Sequence, residues 1–417
     1  MLLRIVSLSM RVFALFAKLG LLFYLAKYMT PEDFVLFGIL TVTVAYLQYI
    51  IGLDLYNYAN RQLALNRSKF NLLRIVGKQY SFYFCMYLCL VFISLILWFI
   101  RITFNEILPE WAFIFIFILI TEHFFNEVYR LFNFMLQPIF AAFLYFMKSV
   151  VLFVLVFIKG YGTGHGIGIE FVLYAWLLVN TLIVLFSNLK FNLLYITLRL
   201  WCVDFNWLKV AVRFSFPLVL SALCSRAVFT FDRTLAGLYL DIDSAATYVL
   251  FMSIFFALNS VIDSVFFVFK VPRLISSFEV NFKEEFFKFK KTAMILLAIG
   301  AVSFIPGFYI SQFIFSEKVG SDTQVAFFML GFVFLLFNIS QVFHFALYSY
   351  GAAKSILYTQ FYALLISITV FTLGLEFQSL HTIEFFVLCV GVYCLFVCIL
   401  KRSAYLQLSK ANQDDKR

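Results

Sequence analysis

Charge is scarce in this chain. Asp, Glu, Lys and Arg together make up 13% of its 417 residues, whereas 64% are hydrophobic, and the mean hydropathy is +0.97. That balance excludes an ordinary soluble protein. No stretch is polar enough to fold as a soluble domain, which argues against an enzyme with its chemistry in a globular module and against a polymerase with large outer loops. The motifs HExxH, GxSxG and GxxxxGK[ST] are absent, so a pump carrying its own nucleotide domain is excluded and no catalytic residue is assigned. The seven cysteines contain no CxxC pair. Cys85 and Cys89, like Cys394 and Cys398, stand four apart in apolar runs, so neither a disulfide nor a metal site is expected. No cleavable leader is expected. The first apolar segment carries Arg11 and Lys18, runs on to Tyr28 without a small-residue cleavage site, and is expected to stay as a span.

What the chain does have is apolar length. Runs able to cross about 30 Å of hydrocarbon are read at 8–28, 34–53, 79–100, 111–135, 140–158, 170–188, 214–238, 247–269, 293–315, 324–350, 357–375 and 383–400. The expected class is an all-α polytopic membrane protein with about 12 transmembrane helices. The net charge of +10 does not point to nucleic acid, because the bases sit in short loops on one side. Arg61, Arg67, Arg74, Lys78, Arg199, Lys209, Arg213, Lys270, Arg273, Lys401 and Arg402 fall on the side that also holds both ends of the chain. The other side has only Lys27, Arg101, Lys159 and Lys318. Basic loops stay in the cytoplasm, so the expected topology is N-in and C-in. The segment 282–291, FKEEFFKFKK, reads as a helix lying along anionic lipid or as plain topology signal. The 59 phenylalanines are taken as lipid-facing and packing surface.

Span seven is unusual in carrying Arg226, Asp232 and Arg233 in a stretch that otherwise suits hydrocarbon. Arg226 and Arg233 are about 20° apart on a helical wheel and form a cationic stripe. Span one repeats the pattern: Arg11, Lys18, Tyr24-Leu25 and Val35-Leu36-Phe37 answer Arg226, Arg233, Tyr239-Leu240 and Val249-Leu250-Phe251, with one loop residue of difference. Two pseudo-symmetric six-helix lobes around a central cavity follow, with an N-terminal lobe at 1–188, a cytoplasmic linker at 189–213, a C-terminal lobe at 214–400 and a tail at 401–417.

Span four has the clearest polar face. Glu122, Asn126, Arg130, Asn133 and Gln137 fall within about 80° of arc, and His123 with Glu127 widens it to about 140°. Such a wedge lines a wet cavity or serves as hydrogen-bonding glue between helices. Lys148 in span five, Asn259 and Asp263 in span eight, and Asn338, Gln341 and His344 in span ten add further polar groups. Arg11, Lys18, Arg130, Lys148, Arg226 and Arg233 outnumber Glu122, Glu127, Asp232 and Asp263, so a shared cavity would be cationic. Arginine and lysine suit a phosphate, and Asn126, Asn133, Asn338 and Gln341 suit a sugar. Asp232, Asp263, Glu122, Glu127 and His344 either couple a Na⁺ or H⁺ gradient or neutralise and hydrogen-bond their neighbours. No other cofactor is expected.

The stretches FYLAKYMTPEDFVLFGIL (23–40), GLDLYNYANRQLA (52–64), VYRLFNFMLQPIFAAFLYFMKS (128–149) and FSFPLVLSALCSRAVFTFDRTLAGLYLDIDSAATYVLF (214–251) resemble the polysaccharide transporter family. This is the Wzx-type O-antigen flippase group of the multidrug/oligosaccharidyl-lipid/polysaccharide exporter superfamily. The resemblance implies a flippase for undecaprenyl-pyrophosphate-linked oligosaccharide in the bacterial inner membrane. Membrane lipid surrounds it, and a polysaccharide polymerase or chain-length regulator is a further partner. Arg226, Asp232 and Arg233 are the positions carried over. The competing readings are a multidrug or cation antiporter of the same superfamily, disfavoured by the excess of bases, and a membrane-embedded glycan polymerase.

Overall fold

In hydrocarbon a backbone has no water to bond to, so apolar runs of this length fold as helices. The computed structural model describes residues 2–65, 69–104, 111–134, 137–163, 166–191, 203–277, 281–314, 323–376 and 382–414. Arg67, Arg199, Lys318, Cys202 and much of the expected linker at 189–213 lie outside the described residues. In chain order the α-helices are α1 (Leu2–Tyr28), α2 (Pro31–Gly52), α3 (Leu55–Leu65), α4 (Lys69–Phe104), α5 (Trp111–Phe134), α6 (Pro138–Thr163), α7 (Ile169–Phe191), α8 (Phe205–Tyr239), α9 (Ile242–Ile262), α10 (Val268–Ser276), α11 (Phe282–Ile314), α12 (Gln324–Ser349), α13 (Ala353–Glu376) and α14 (Ile383–Asp414). All but the short α3 and α10 are long and apolar enough to span a membrane, which makes 12 spans among the described residues. The chain is a multi-pass membrane protein of the expected all-helical class.

The helix ends differ from the sequence reading at several places, and α4 starts at Lys69 rather than 79. Span seven starts at Phe205 rather than 214, and Pro217 sits inside the continuous helix. At 35 residues and 1.5 Å per residue, α8 is about 52 Å long, well beyond the hydrocarbon. The segment 282–291 is not a separate surface helix but the first turns of α11. Span eight ends at Ile262, where a π-helical turn, Asp263–Phe267, precedes α10. The expected tail continues α14 to Asp414, and Lys401 within it is 0% exposed.

The helices gather into two compact units. One comprises Met1–Thr30 and Leu40–Val219, the other Pro31–Ile39 and Leu220–Arg417, so α2 and α8 each contribute to both. In the first unit α1 packs on α6, α5 on α7 and α6, and α4 on α3 and α5. Gly20 of α1 faces the ring of Phe153 of α6, where a Cβ would meet the ring at 3.3 Å. Between α2 and α3 the chain turns through two left-handed residues, Leu53 (φ 46°) and Asp54 (φ 47°), a costly conformation for side chains other than glycine. The carbonyl of Asp54 accepts from Ser215 Oγ at 3.2 Å, which ties this turn to α8.

In the second unit α14 packs on α12 and α13, and α12 also receives α9 and α11. Its core is rich in aromatic rings. Phe229 meets Phe337, Phe256 and Tyr393 edge to face, with ring centroids 5.2–6.2 Å apart, the orientation that ring quadrupoles favour. A second cluster joins Phe266 and Phe267 of the π turn to Phe282, Phe286 and Phe289 of α11 and Phe343 of α12.

The start of α8 is anchored by polar contacts. Asp204 Oδ1 accepts from the backbone N–H of Trp207 at 2.9 Å, an N-cap, and Oδ2 pairs with Lys78 of α4 at 2.7 Å. The indole N–H of Trp207 donates to Gln62 of α3 at 2.9 Å. The hydrogen bond from Lys78, then the N–H of Trp207, holds the Asp204 carboxyl below its usual value. A carboxyl with a depressed folded pKa contributes stability that is present above its ordinary pKa and lost as pH falls through the folded value. Asp204→Asn should therefore lower the unfolding temperature at neutral pH and converge on wild type in acid. Indistinguishable thermal unfolding at neutral pH would contradict the anchor.

Candidate functional site

The first unit concentrates its polar groups on α5, and the wedge read there does not act as one surface. Its residues are divided among several neighbouring helices. Glu122 pairs with Lys148 of α6 and accepts from Trp176 Nε1 at 3.0 Å and Asn180 Nδ2 at 2.8 Å, both on α7. Glu127, 2% exposed, is paired with Arg130 at 2.5 Å. It also accepts from Gln79 at 3.1 Å and Tyr83 at 2.9 Å, both on α4. Asn126 donates to Gln48 of α2 at 2.7 Å. Asn133 accepts from Arg11 of α1 at 2.8 Å. His123 meets the Tyr87 hydroxyl at 2.6 Å and lies so close to Gly52 that a Cβ there would stand 2.6 Å from its Nε2. Gln137 is exposed between α5 and α6.

The cations of this unit have unequal surroundings. Arg11 is 1% exposed, and its Nε and one terminal nitrogen have no hydrogen-bond partner among the described residues. Lys18 is exposed, with Nζ 4.5 Å from the ring centre of Tyr145. Arg130 keeps 32% of its side chain exposed and stacks over Tyr56 at 4.1 Å. Lys148 is buried against the Phe125 ring at 4.2 Å. Both carboxylates are thus matched by a base in place, while Lys18 and part of Arg130 remain exposed on the protein.

In the second unit, the stripe expected from Arg226 and Arg233 is divided. Arg226 is half-buried, whereas Arg233 is 3% exposed. The guanidinium of Arg233 reaches the Gly38 carbonyl at 3.5 Å and lies 5.2 Å from the Phe256 ring centre. Asp232 accepts from the backbone N–H of Arg233 at 2.6 Å and the Tyr248 hydroxyl at 2.8 Å. Asn338 donates to Asn259 at 2.5 Å, joining α12 to α9. Gln341 and His344 are half-buried on α12, and Asp263 is exposed where α9 gives way to the π turn.

Sequence reasoning missed several partners. Gln79 with Tyr83 and Trp176 with Asn180 each stand four apart on one helix face, a spacing that was available as a signal. Lys401 was not available in that way. It follows an apolar run directly before Arg402 and reads as tail, yet it lies buried on α14, facing Gln360 of α13. With its side-chain amide turned so that oxygen and nitrogen exchange places, Gln360 accepts from Lys401 Nζ at 3.2 Å and donates to Ser221 Oγ of α8 at 3.2 Å. Among the described residues no group of three or more His, Cys, Asp or Glu side chains can hold a metal ion.

The Glu122–Lys148 pair offers a direct test of this arrangement. Removing one partner of a buried pair leaves an uncompensated charge and costs about 3–5 kcal/mol, whereas replacing both costs much less. Glu122→Gln and Lys148→Met should each destabilise the protein more than the double variant does, as measured by denaturant unfolding in detergent. Additive losses would sink the pairing.

No protein-family profile matches the chain, and no curated protein matches it. Solved structures do. An inward-facing multidrug-resistance MATE family transporter of the MOP superfamily superposes with a TM-score of 0.68 at 14% identity, over 97% of this chain and 96% of that one. A MOP superfamily transporter from Pyrococcus furiosus Vc1, described as having a binding pocket of reverse polarity that suggests a different function, gives 0.66 at 15% identity over 98% and 95%. The Vibrio cholerae MATE transporter VcmN, in a variant form, gives 0.63 at 14% over 98% and 97%. These neighbours overturn the expected Wzx-type identity, the flippase function and the undecaprenyl-pyrophosphate-linked oligosaccharide as partner. Several residues of the motifs behind that expectation make contacts within the helix bundle. Pro217 lies within a continuous helix, Asp232 and Arg233 tie α8 to Tyr248 and Gly38, and the turn after Tyr239 is closed by Asp241 capping the N–H of Ser244. The chain has the fold of the MATE transporters of the MOP superfamily.

Proposed function

We propose that this protein is a secondary transporter of the multidrug antiporter type, moving amphipathic organic solutes across a bilayer by alternating access. The reading is carried by the likeness to multidrug MATE transporters over 97% of the chain. Its neighbours being transporters is also consistent with a protein that is not an enzyme. The excess of bases that earlier spoke against an antiporter loses weight in the first unit, because Lys148 and Arg130 are taken up by Glu122 and Glu127. Glu127 is the proposed coupling group: a H⁺ or Na⁺ arriving at its carboxylate competes with Arg130, whose guanidinium is partly exposed. Placement in a cytoplasmic membrane with both termini inside is part of the same proposal, on the distribution of Lys and Arg.

A second reading of the substrate has its own support. Lys18 is exposed on α1 and faces no carboxylate within salt-bridge distance among the described residues. One structural neighbour is described by a pocket of reverse polarity. Solutes of negative charge fit that side chain better than cationic drugs do.

Purified protein in proteoliposomes, given an imposed H⁺ or Na⁺ gradient, should move a fluorescent amphipathic solute, and a paired cation and anion of similar size settle its sign. Glu127→Gln should reduce gradient-driven flux at least about tenfold, the scale of losing one essential ionisable group. Lys354→Gln, at an exposed position on α13, should leave it unchanged. Absence of gradient-driven flux for both solutes would overturn the transport reading. Lys18→Glu should shift preference from anion toward cation.

A further inference from the structure

The first turns of α8 have two faces of different character. Trp207, Ala211 and Ser215, four residues apart, are buried and are held inward by the Asp204–Lys78 and Trp207–Gln62 contacts. On the outer face Phe205, Leu208, Lys209, Val212, Arg213 and Phe216 line an open groove of about 630 Å³. Phe205 is 75% exposed and Phe216 57%. Lys209 and Arg213 lie one turn apart, both exposed, and neither pairs with a carboxylate among the described residues.

Depth decides what such a groove meets. With α8 about 52 Å long against about 30 Å of hydrocarbon, one end of the helix must stand at headgroup level, and the two cations mark this end as the one. An exposed aromatic surface beside an unpaired Lys and Arg is complementary to a molecule with an acyl chain and a phosphate. Arginine offers forked donors to phosphate oxygens and lysine a point charge. We propose that this groove holds an anionic phospholipid, its phosphate on Lys209 and Arg213 and its acyl chain along Phe205, Leu208, Val212 and Phe216. The site lies apart from the transport candidates on α5, and its assignment does not depend on the antiporter reading.

The test is native mass spectrometry of the full-length protein released from micelles containing phosphatidylglycerol and phosphatidylcholine. Wild type should retain phosphatidylglycerol in preference, and added salt should weaken that retention. Each juxtamembrane base supports anionic lipid to an extent that translates into about fivefold in affinity. Lys209→Gln and Arg213→Gln should thus each weaken retention about fivefold and together about twenty- to thirtyfold, with Lys354→Gln as an unaffected control. The single variants keep the test readable if the double variant folds poorly. Equal retention of both lipids by wild type, or unchanged retention in the variants, overturns the proposal. So does a change of oligomeric state in the double variant with lipid retention intact, which would make this face a contact between copies of the chain.

Discussion

A charge placed at membrane depth must find its counter-charge and hydrogen bonds inside the protein, because the bilayer supplies neither. In the first unit this requirement makes α5 the central element. Glu122 and Glu127 are five residues apart, about 140° around the helix, so they cannot serve the same neighbour: one is satisfied by α6 and α7, the other by α4 and by Arg130 on its own helix. Asn126 and Asn133 extend the same device to α2 and α1. Hydrogen bonds between helices supply the direction that apolar packing alone does not.

The second unit meets the constraint differently. Its interior is rich in aromatic rings, many of them set edge to face, with a few isolated polar ties at Asp232–Tyr248, Asn338–Asn259 and Lys401–Gln360. The sequence repeat survives as spacing and has diverged in environment. Arg11 is buried where its counterpart Arg226 is half-buried, and Lys18 is exposed where Arg233 is enclosed. Equivalent positions in the two halves therefore stand in unlike surroundings.

The twelve spans were legible because length and hydropathy are local properties, and positions such as 169–170 or 324 move hardly at all between sequence and structure. The ends of α8, α11 and α14 were not, since a helix that runs past the hydrocarbon into basic residues gives no hydropathy signal for where it stops. The polar face of α5 was legible as a face, but its partners lie on other helices and periodicity cannot name them. Lys401 shows the same limit from the other side: a lysine beside an arginine at the end of an apolar run reads as solvated, and only the packing of α13 and α8 encloses it. Substrate class failed for a related reason. A tally of bases and acids treats every charge as available, whereas Glu122, Glu127, Lys148 and much of Arg130 are already engaged with one another, and the motifs around Asp232 are those of a helix joint.

The π turn at Asp263–Phe267 is equivalent to one residue inserted into a helix and absorbed without looping out. Everything that follows is displaced in phase by about 100° relative to an unbroken α-helix. Phe266 and Phe267 sit within that shift, and it sets them against Phe289 and Phe345 of α11 and α12. Shortening the turn by a single residue would restore ideal helical bonding and, in doing so, rotate α10 away from its aromatic seat. Local regularity and tertiary fit are in opposition at this point of the chain, and the fold is built on the second.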